Sequence, residues 1–280
     1  MTDISEGRFL PAAPRRDVSK AIARRCGRAA VALWLPAALV LAWWLASASS
    51  PNRFFPPLSE ILAKASRDFI SPAFADNLLP SLQQLVLGLS LAVILGLSLG
   101  YAVGLSKVGQ AMLMPVFDAF RSTPVVALIP VFIGIFGLGS SSTVLVVAWA
   151  AFWPILLGTV AGMASVETGF RDTAEALRMN ARQKLFMMRL PAAAPHIFAG
   201  MDIAVSIAVV AMVAAGLFSA TEGLGRYLAL SKIGADMSAA YAGGIAAGCV
   251  GFGAATAFRL LERRVFMKWH FERGERNGEQ

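Results

Sequence analysis

Long apolar runs separated by short charged stretches dominate this 280-residue chain. Six windows approach or exceed the ~20 apolar residues that a helix needs to cross ~30 Å of hydrocarbon. They cover roughly residues 29–47, 82–105, 112–136, 143–164, 194–218 and 237–258. Because lipid offers no hydrogen-bond partners to the backbone, each window is predicted to be a helix. The pattern predicts an all-α, polytopic membrane protein with about six transmembrane helices.

Composition and charge placement support this assignment. Apolar residues make up 57% of the chain and charged residues 15%, and the mean hydropathy is +0.64. Nineteen of the 25 Lys and Arg residues lie in segments that are cytoplasmic if the N-terminus is inside. This asymmetry follows the positive-inside rule. It also explains the pI of about 10.1 through attraction to anionic lipid, so no nucleic-acid partner is indicated.

Three regions are expected along the chain. Residues 1–28 form a basic cytoplasmic tail, residues 29–258 the transmembrane domain and residues 259–280 a cytoplasmic C-terminal tail. A cleaved signal peptide is the alternative for the N-terminus, because the first apolar run ends in Ala46-Ser47-Ala48. That run is longer than a signal-peptide core, and the later spans alternate correctly only if it is retained. An uncleaved first helix is therefore favoured.

Two further patterns concern the placement of helices. Residues 59–70 have apolar positions at helical spacing and predict a short amphipathic helix on the outer surface. Glycines four or eight residues apart occur in the second and last spans, at Gly88, Gly96, Gly100, Gly104, Gly244 and Gly248. They predict close helix packing, of which homodimerisation is one use.

Charges within spans are costly and mark candidate functional positions. The third window contains Asp118, Arg121 and Pro124 in FDAFRSTPVVALIP, and the proline predicts a helix break facing protein or a water-filled cavity. The alternative is that Asp118 and Arg121, three residues apart, only neutralise each other near the membrane surface. Asp202, in the fifth window, is either interfacial or interior. All four are candidate translocation-pathway residues.

Residues 172–191, DTAEALRMNARQKLFMMRLP, form a charged and helix-prone island between apolar runs. The acidic residues of this charged segment come first and the basic residues last, as the helix dipole favours. Leu190-Pro191 is expected to end the helix, with a sharp turn before the next span. A rigid cytoplasmic helix of this kind is suited to transmit a mechanical force to the adjoining span.

This segment resembles the cytoplasmic signature of the permeases of bacterial ABC importers that work with a solute-binding protein. That signature reads Glu-Ala-Ala, three residues, Gly, nine residues, an aliphatic residue, one residue and Leu-Pro. Its spacing is kept here while several identities change. The corresponding residues are Asp172, Thr173, Ala174, Arg178, Met188, Leu190 and Pro191. Arg178 replaces the glycine, and Asp172 is shorter than the usual Glu.

The resemblance covers roughly residues 54–260 and points to the nitrate, taurine and aliphatic sulfonate branch, with a type I permease fold. The blocks that carry it are FFPPLSEILA, RSTPVVALIPVFIGIFGLG, FWPILLGTVAGMASVE, LPAAAPHIFAGMDIAVSIA and EGLGRYL. One departure concerns an acid that many relatives have where Gly216 stands here. The nearby acid in this chain is Glu222.

The resemblance implies two permease subunits, two cytoplasmic ATPases and an extracytoplasmic binding protein, in the bacterial inner membrane. The permease implied by the resemblance is expected to be a homodimer, with its N- and C-termini in the cytoplasm. The loop at about 165–192 would couple it to the ATPase through Asp172, Thr173, Ala174 and Arg178, while Leu190 and Pro191 fix the turn. ATP and magnesium would be bound by the ATPase.

The chain itself is not expected to be an enzyme or to hold a cofactor. It lacks the G-x-x-x-x-G-K-[ST] loop that cradles phosphates. Its Gly137-Leu138-Gly139 and Gly223-Leu224-Gly225 pieces have no Rossmann context. The cysteines, Cys26 and Cys249, and the two histidines are too scattered to predict a disulfide or a metal site.

Two alternatives remain open from the sequence. An ion-coupled secondary transporter would show inverted repeats and buried acids. Asp118 and Asp202 are the candidate acids, and they give this alternative little support. The substrate is also open: Arg121 is compatible with a sulfonate, taurine or nitrate, and close relatives carry vitamin or pyrimidine precursors.

Overall fold

The computed structural model describes residues 18–48, 52, 54–70, 74–165, 176–219 and 221–276, all-helical wherever regular structure is present. The helices, in chain order, are α1 Val18–Ser47, α2 Leu58–Phe69, α3 Phe74–Asn77, α4 Leu79–Gly104, α5 Lys107–Arg121, α6 Val125–Phe136, α7 Ser140–Ala164, α8 Ala181–Gln183, α9 Leu190–Ser219, α10 Gly223–Ile233 and α11 Met237–Arg276. A π-helix, Lys184–Arg189, joins α8 to α9.

The chain divides into two compact units, Met1–Ser59 and Glu60–Gln280. In the first unit, the Leu58 backbone N–H donates to Ser47 Oγ at 3.2 Å, which ties the start of α2 to the end of α1. The second unit contains most of α2 and the helices that follow it. Its core is the helix α7, which packs between α4 and α9.

Close approach between α4 and α7 depends on glycine. A Cβ on Gly88 would lie 2.5 Å from Val147 Cγ1, and one on Gly100 would lie 2.6 Å from Thr159 Cβ. Gly96 and Gly104 face Ile155 and Met163 of α7 in the same way. The predicted glycine seam of the second span is therefore used inside the chain. By contrast, a Cβ on Gly244 or Gly248 of α11 would meet nothing within 4 Å.

The expected spans are found in altered form. Four helical stretches among the described residues are long and apolar enough to cross a membrane, namely Leu79–Gly104, Ser140–Ala164, Lys184–Ser219 and Met237–Arg264. A fifth span results if α5 and α6 count as one broken span, since they are bent by 90°. The first window lies in α1, where the apolar helix found is Trp34–Ser47. The amphipathic helix expected at 59–70 is α2.

Candidate functional site

The third span is interrupted between α5 and α6, as Pro124 predicted. Helix α5 ends at Arg121, and Pro124 adopts an extended conformation as the N-cap of α6. The Ser122 hydroxyl donates to the Ala119 carbonyl at 2.8 Å, and the Thr123 hydroxyl donates to the same oxygen at 3.3 Å. The Ala119 carbonyl near the end of α5 thus has hydrogen-bond partners, as backbone at membrane depth requires.

An ion pair lies at this break. Arg121 Nε donates to Asp118 Oδ1 at 2.8 Å, and the two side chains are 55% and 52% exposed. The pairing expected from their spacing is therefore present, so the arginine brings no uncompensated charge to the break. Its remaining guanidinium N–H groups are donors in a fixed fork, which suits binding of an oxyanion.

Aromatic rings of α5 and α6 pack on two tryptophans of α7 and hold the bent pair in place. Phe120 stacks on Trp153 with centroids 5.7 Å apart and meets Trp149 edge-on at 5.9 Å. Phe132 meets Trp149 at 6.3 Å from the other side of the break. The indole Nε1 atoms of both tryptophans are buried and have no hydrogen-bond partner among the described residues. The ring contacts connect both arms of the break to the core helix.

Asp202 lies in α9, away from the termini of that span. Its Oδ1 is buried and has no hydrogen-bond partner in the described part of the chain. Ser206, one turn further on, has an exposed side chain and donates to the Asp202 backbone carbonyl at 3.3 Å. The Asp202 carboxylate thus lies within a span and has no counter-charge among the residues that the structure describes. Its role in a pathway stays a prediction.

The charged segment differs from the single helix expected. Asp172, Thr173 and Ala174 lie outside the described residues. Arg178 has a φ of +47° and stands in a turn, so the residue at the family's glycine position keeps a left-handed backbone. A new helix then begins. Asn180 and Gln183 hydrogen-bond reciprocally, each backbone N–H to the other side chain at 2.9 Å, in the arrangement of a capping box.

The expectation of a sharp turn at Leu190-Pro191 is wrong. The helix runs through both residues, from the π-helix Lys184–Arg189 directly into α9. In the π-helix, the Leu190 backbone N–H donates to the Leu185 carbonyl, five residues back. This wider spacing leaves room for the ring of Pro191, which in an ordinary α-helix would clash with the carbonyl four residues back. Met188, Leu190 and Pro191 are all partly buried.

Three large apolar side chains of the charged segment are exposed, and the sequence pattern did not single them out. Leu177, Phe186 and Met187 are 68%, 65% and 59% exposed. Leu177 precedes the apolar stretch Lys184–Ser219, whereas Phe186 and Met187 lie in its first turn. Exposed apolar side chains at such a charged end of a span are typical of a protein contact. A signal was available in principle, because these apolar residues lie within a segment that carries several charges.

At the opposite end of α7, a polar network joins four elements. Gln84 of α4 donates to Ser140 Oγ at 2.9 Å, and Ser140 of α7 donates to Glu222 Oε1 at 2.6 Å. Thr143 and Ser219 hydroxyls lie 3.0 Å apart. The two glycine-leucine-glycine pieces flank this network, and the Gly139 N–H donates to the Ser219 carbonyl at 2.8 Å. Glu222 is thus a structural acceptor here.

A second polar cluster attaches α2 to α10 and α11. The Tyr227 hydroxyl donates to Asp68 Oδ2 at 2.6 Å, and Ser238 Oγ donates to Glu60 Oε1 at 2.7 Å. Lys64 Nζ lies 3.3 Å from Asp236 Oδ2. Phe69 and Tyr227 add an edge-to-face ring contact at 4.8 Å. The amphipathic helix is therefore fixed by side chains from more than 150 residues further along the chain.

Protonation states in this cluster favour the observed contacts. Burial raises the pKa of Tyr227, and its hydrogen bond to Asp68 and the charges of Asp68 and Asp236 act in the same direction, so the phenol stays a donor. The Ala239 backbone N–H lowers the pKa of Asp236 below 3.8, and Lys64 adds to this against the opposing effect of burial. Because the folded pKa is depressed, this stabilisation is present above pH 3.8 and is lost as pH falls through the lower folded pKa.

Long apolar helices, a broken span with an ion pair and a charged segment with exposed apolar residues define the membrane subunit of a transport system. The chain matches the family described as binding-protein-dependent transport system inner membrane component over residues 92–267, more than half of its length. It belongs to this family. It is therefore a permease subunit of an ABC importer, a multi-pass inner-membrane protein that works with a separate ATPase and a binding protein, and it is a transport subunit rather than an enzyme.

Individual relatives agree with the family. The chain is 30% identical to the taurine transport system permease protein TauC of Escherichia coli over 244 residues, 84% of this chain and 88% of TauC. It is 28% identical to the nitrate import permease protein NrtB of Synechococcus elongatus over 196 residues, 66% of this chain and 70% of NrtB. These matches place it in the nitrate, taurine and sulfonate branch.

A solved structure has the same fold. A chain of the inward-facing MetNI methionine ABC transporter superposes with a TM-score of 0.57 at 19% identity, covering 66% of this chain and 93% of that one. At this level of identity the likeness shows the fold alone.

The described residues contain no cluster of three or more His, Cys, Asp or Glu side chains that could hold a metal ion.

Proposed function

We propose that two copies of this chain form the translocation pathway of an importer for a small solute that carries an oxyanion group, of the taurine, sulfonate or nitrate type. Both termini are cytoplasmic, which puts α2 and α10 on the extracytoplasmic side. ATP and magnesium are bound by the ATPase, and this chain holds no cofactor of its own.

The break between α5 and α6 carries this proposal. It combines a guanidinium, two hydroxyls and a bend within a span, which is how helical transport proteins line a pathway at membrane depth. Asp118 offsets the charge of Arg121, so the site would bind an oxyanion through hydrogen bonds of moderate strength and still release it. Taurine and nitrate, the solutes in the names of the relatives TauC and NrtB, carry such groups.

Coupling to ATP is proposed to run through the charged segment. Asp172, Thr173, Ala174 and Arg178 contact the ATPase, with the exposed Leu177, Phe186 and Met187 providing apolar surface. The π-helix joins this segment to α9 without a break, so a movement at the ATPase would be passed to a core helix as a rigid element. Met188, Leu190 and Pro191 lie at this junction.

The test is ATP hydrolysis by the permease with its ATPase and binding protein in proteoliposomes, with taurine, alkanesulfonates, nitrate and pyrimidine precursors added singly. Stimulation by one oxyanion solute, lost in Arg121→Gln and kept in Lys107→Gln at the other end of α5, is expected. Stimulation by a pyrimidine precursor alone would contradict the substrate class. Uptake that needs no ATPase would indicate an ion-coupled carrier instead.

A further inference from the structure

A cavity of about 460 Å³ lies between α3, α10 and the start of α11, beside α2. Its charged and polar lining comes from Lys64, Asn77, Arg226, Tyr227, Ser231 and Asp236. All of these residues belong to the second compact unit. The cavity is thus a polar depression in a defined part of the fold rather than a gap between units.

Almost every charge around the cavity already has a partner. Lys64 pairs with Asp236 at 3.3 Å and with Asp68 at 3.8 Å, and Tyr227 donates to Asp68. Arg226 is the exception. Its side chain is exposed and forms no hydrogen bond or ion pair with any residue that the structure describes. The cavity therefore presents one uncompensated positive charge with free N–H donors.

The helix that carries Arg226 is firmly held. The Leu224 backbone N–H donates to Ser81 Oγ of α4 at 2.8 Å, and Glu222 accepts from Ser140 of α7. Gly225 packs against the Gly216 backbone of α9 so closely that a side chain would not fit. Docking on a rigid element loses little conformational entropy. The same contacts connect α10 to three core helices.

Apolar side chains next to Arg226 favour a protein partner over a free ion. Leu230 and Ile233 follow Arg226 at intervals of four and three residues on α10, and they are 52% and 83% exposed. An arginine beside exposed apolar residues is the usual composition of a protein interface. A small anion would have no use for the apolar surface.

We propose that this cavity receives a carboxylate side chain of the solute-binding protein, with Arg226 as its partner and Leu230 and Ile233 as the adjoining contact surface. The extracytoplasmic placement of α10 in this inference rests on the proposed function. Arginine binds carboxylates through two parallel N–H bonds, which fixes orientation as well as adding affinity. Docking would reach the core through Glu222, Leu224 and Gly225.

The test compares Arg226→Glu with Lys232→Glu in nanodiscs that contain the permease and its ATPase. Lys232 is exposed on the same helix but does not line the cavity. The titrant is the solute-binding protein that stimulates the wild-type complex, saturated with solute. For Arg226→Glu we expect the half-maximal concentration to rise about tenfold or more, with unchanged ATP hydrolysis in the absence of binding protein. Lys232→Glu should stay within about twofold.

Several outcomes would overturn the inference. They are a normal titration of Arg226→Glu, an equal loss in Lys232→Glu, or a loss that disappears when anionic lipid is replaced by neutral lipid, which would point to a lipid headgroup. Arg226→Gln, which is less disruptive, should show a smaller shift in the same direction. If the wild-type complex is not stimulated by any binding protein, the proposed function fails instead, so the two failures are distinguishable.

Discussion

Arg178 adopts a backbone conformation that residues with a side chain seldom adopt. Its φ of +47° costs roughly 1–2 kcal/mol for a residue with a Cβ and nothing for glycine. The position is the one at which the permease signature has glycine. This chain therefore forms the turn of the charged segment with an arginine in place of glycine, and the backbone of Arg178 is strained as a result.

We expect Arg178→Gly to stabilise the turn by about 1 kcal/mol, since glycine removes the Cβ clash. The rise in melting temperature of the detergent-solubilised permease measures this. Arg178→Ala is the matched control, because it removes the same charge and keeps the Cβ. An equal rise for Arg178→Ala would show that charge, and not backbone conformation, is responsible.

Gly225 shows the opposite situation, a glycine required by space. A Cβ there would overlap the Gly216 backbone, which cannot move aside as a flexible side chain could. Gly225→Ala should therefore destabilise the protein by about 1–3 kcal/mol and lower the yield of folded permease. Thermal unfolding followed by size-exclusion chromatography measures this.

Gly244→Ala provides the comparison, since nothing lies within 4 Å of its Cβ position. That variant should be at least as stable as the wild type, because alanine favours helix by about 1 kcal/mol over glycine. A strong loss in Gly244→Ala would mean that α11 is covered by a partner at this position.

At the scale of elements, α2 is held in part by side-chain contacts from α10 and α11, which lie far along the chain. The Asp68 side chain is 16% exposed and accepts from the Tyr227 hydroxyl across 159 residues of sequence. A hydrogen bond to a largely buried carboxylate contributes about 1.5–3 kcal/mol. Loss of it should loosen one end of α2.

Tyr227→Phe keeps the ring contact with Phe69 and removes the hydroxyl. We expect a stability loss of about 1.5–3 kcal/mol and faster proteolysis within α2. A double-mutant cycle with Asp68→Asn checks the assignment. If the two changes are additive, the hydroxyl and the carboxylate are not coupled and the contact is not what holds α2.

At the scale of the whole molecule, the charged segment is proposed to meet the ATPase, and exposed apolar residues should contribute to that contact. Burying a phenylalanine side chain contributes about 1.5–3 kcal/mol. Phe186→Ser should therefore lower co-purification of the ATPase with the permease by roughly tenfold or more. The ATPase-to-permease ratio after affinity purification measures this.

Met188→Ser is the control within the same π-helix, because Met188 is partly buried and Phe186 is 65% exposed. It should reduce the stability of the permease more than its binding of the ATPase. A variant Phe186→Ser that retains the ATPase fully would contradict the proposed contact surface while leaving the family membership intact.

The break at Pro124 and the pair Asp118–Arg121 could be predicted because their causes are local. Proline removes a backbone donor within the segment, and residues three apart share a helix face. The course of the chain at Leu190-Pro191 could not be predicted in this way. A π-helix depends on the packing around it, and the same dipeptide ends a helix in one setting and continues it in another.

The membrane class, the helical architecture, the charged segment and the family could all be read from the amino-acid sequence, because hydropathy, charge placement and residue spacing are properties of the linear chain. The tertiary structure alone decided which partners those helices have. The glycines of α4 pack on α7, and Arg226 has no partner among the described residues, beside a cavity whose other charges are paired. These features depend on residues far apart in sequence, and local pattern carries no information on which distant side chain will meet which.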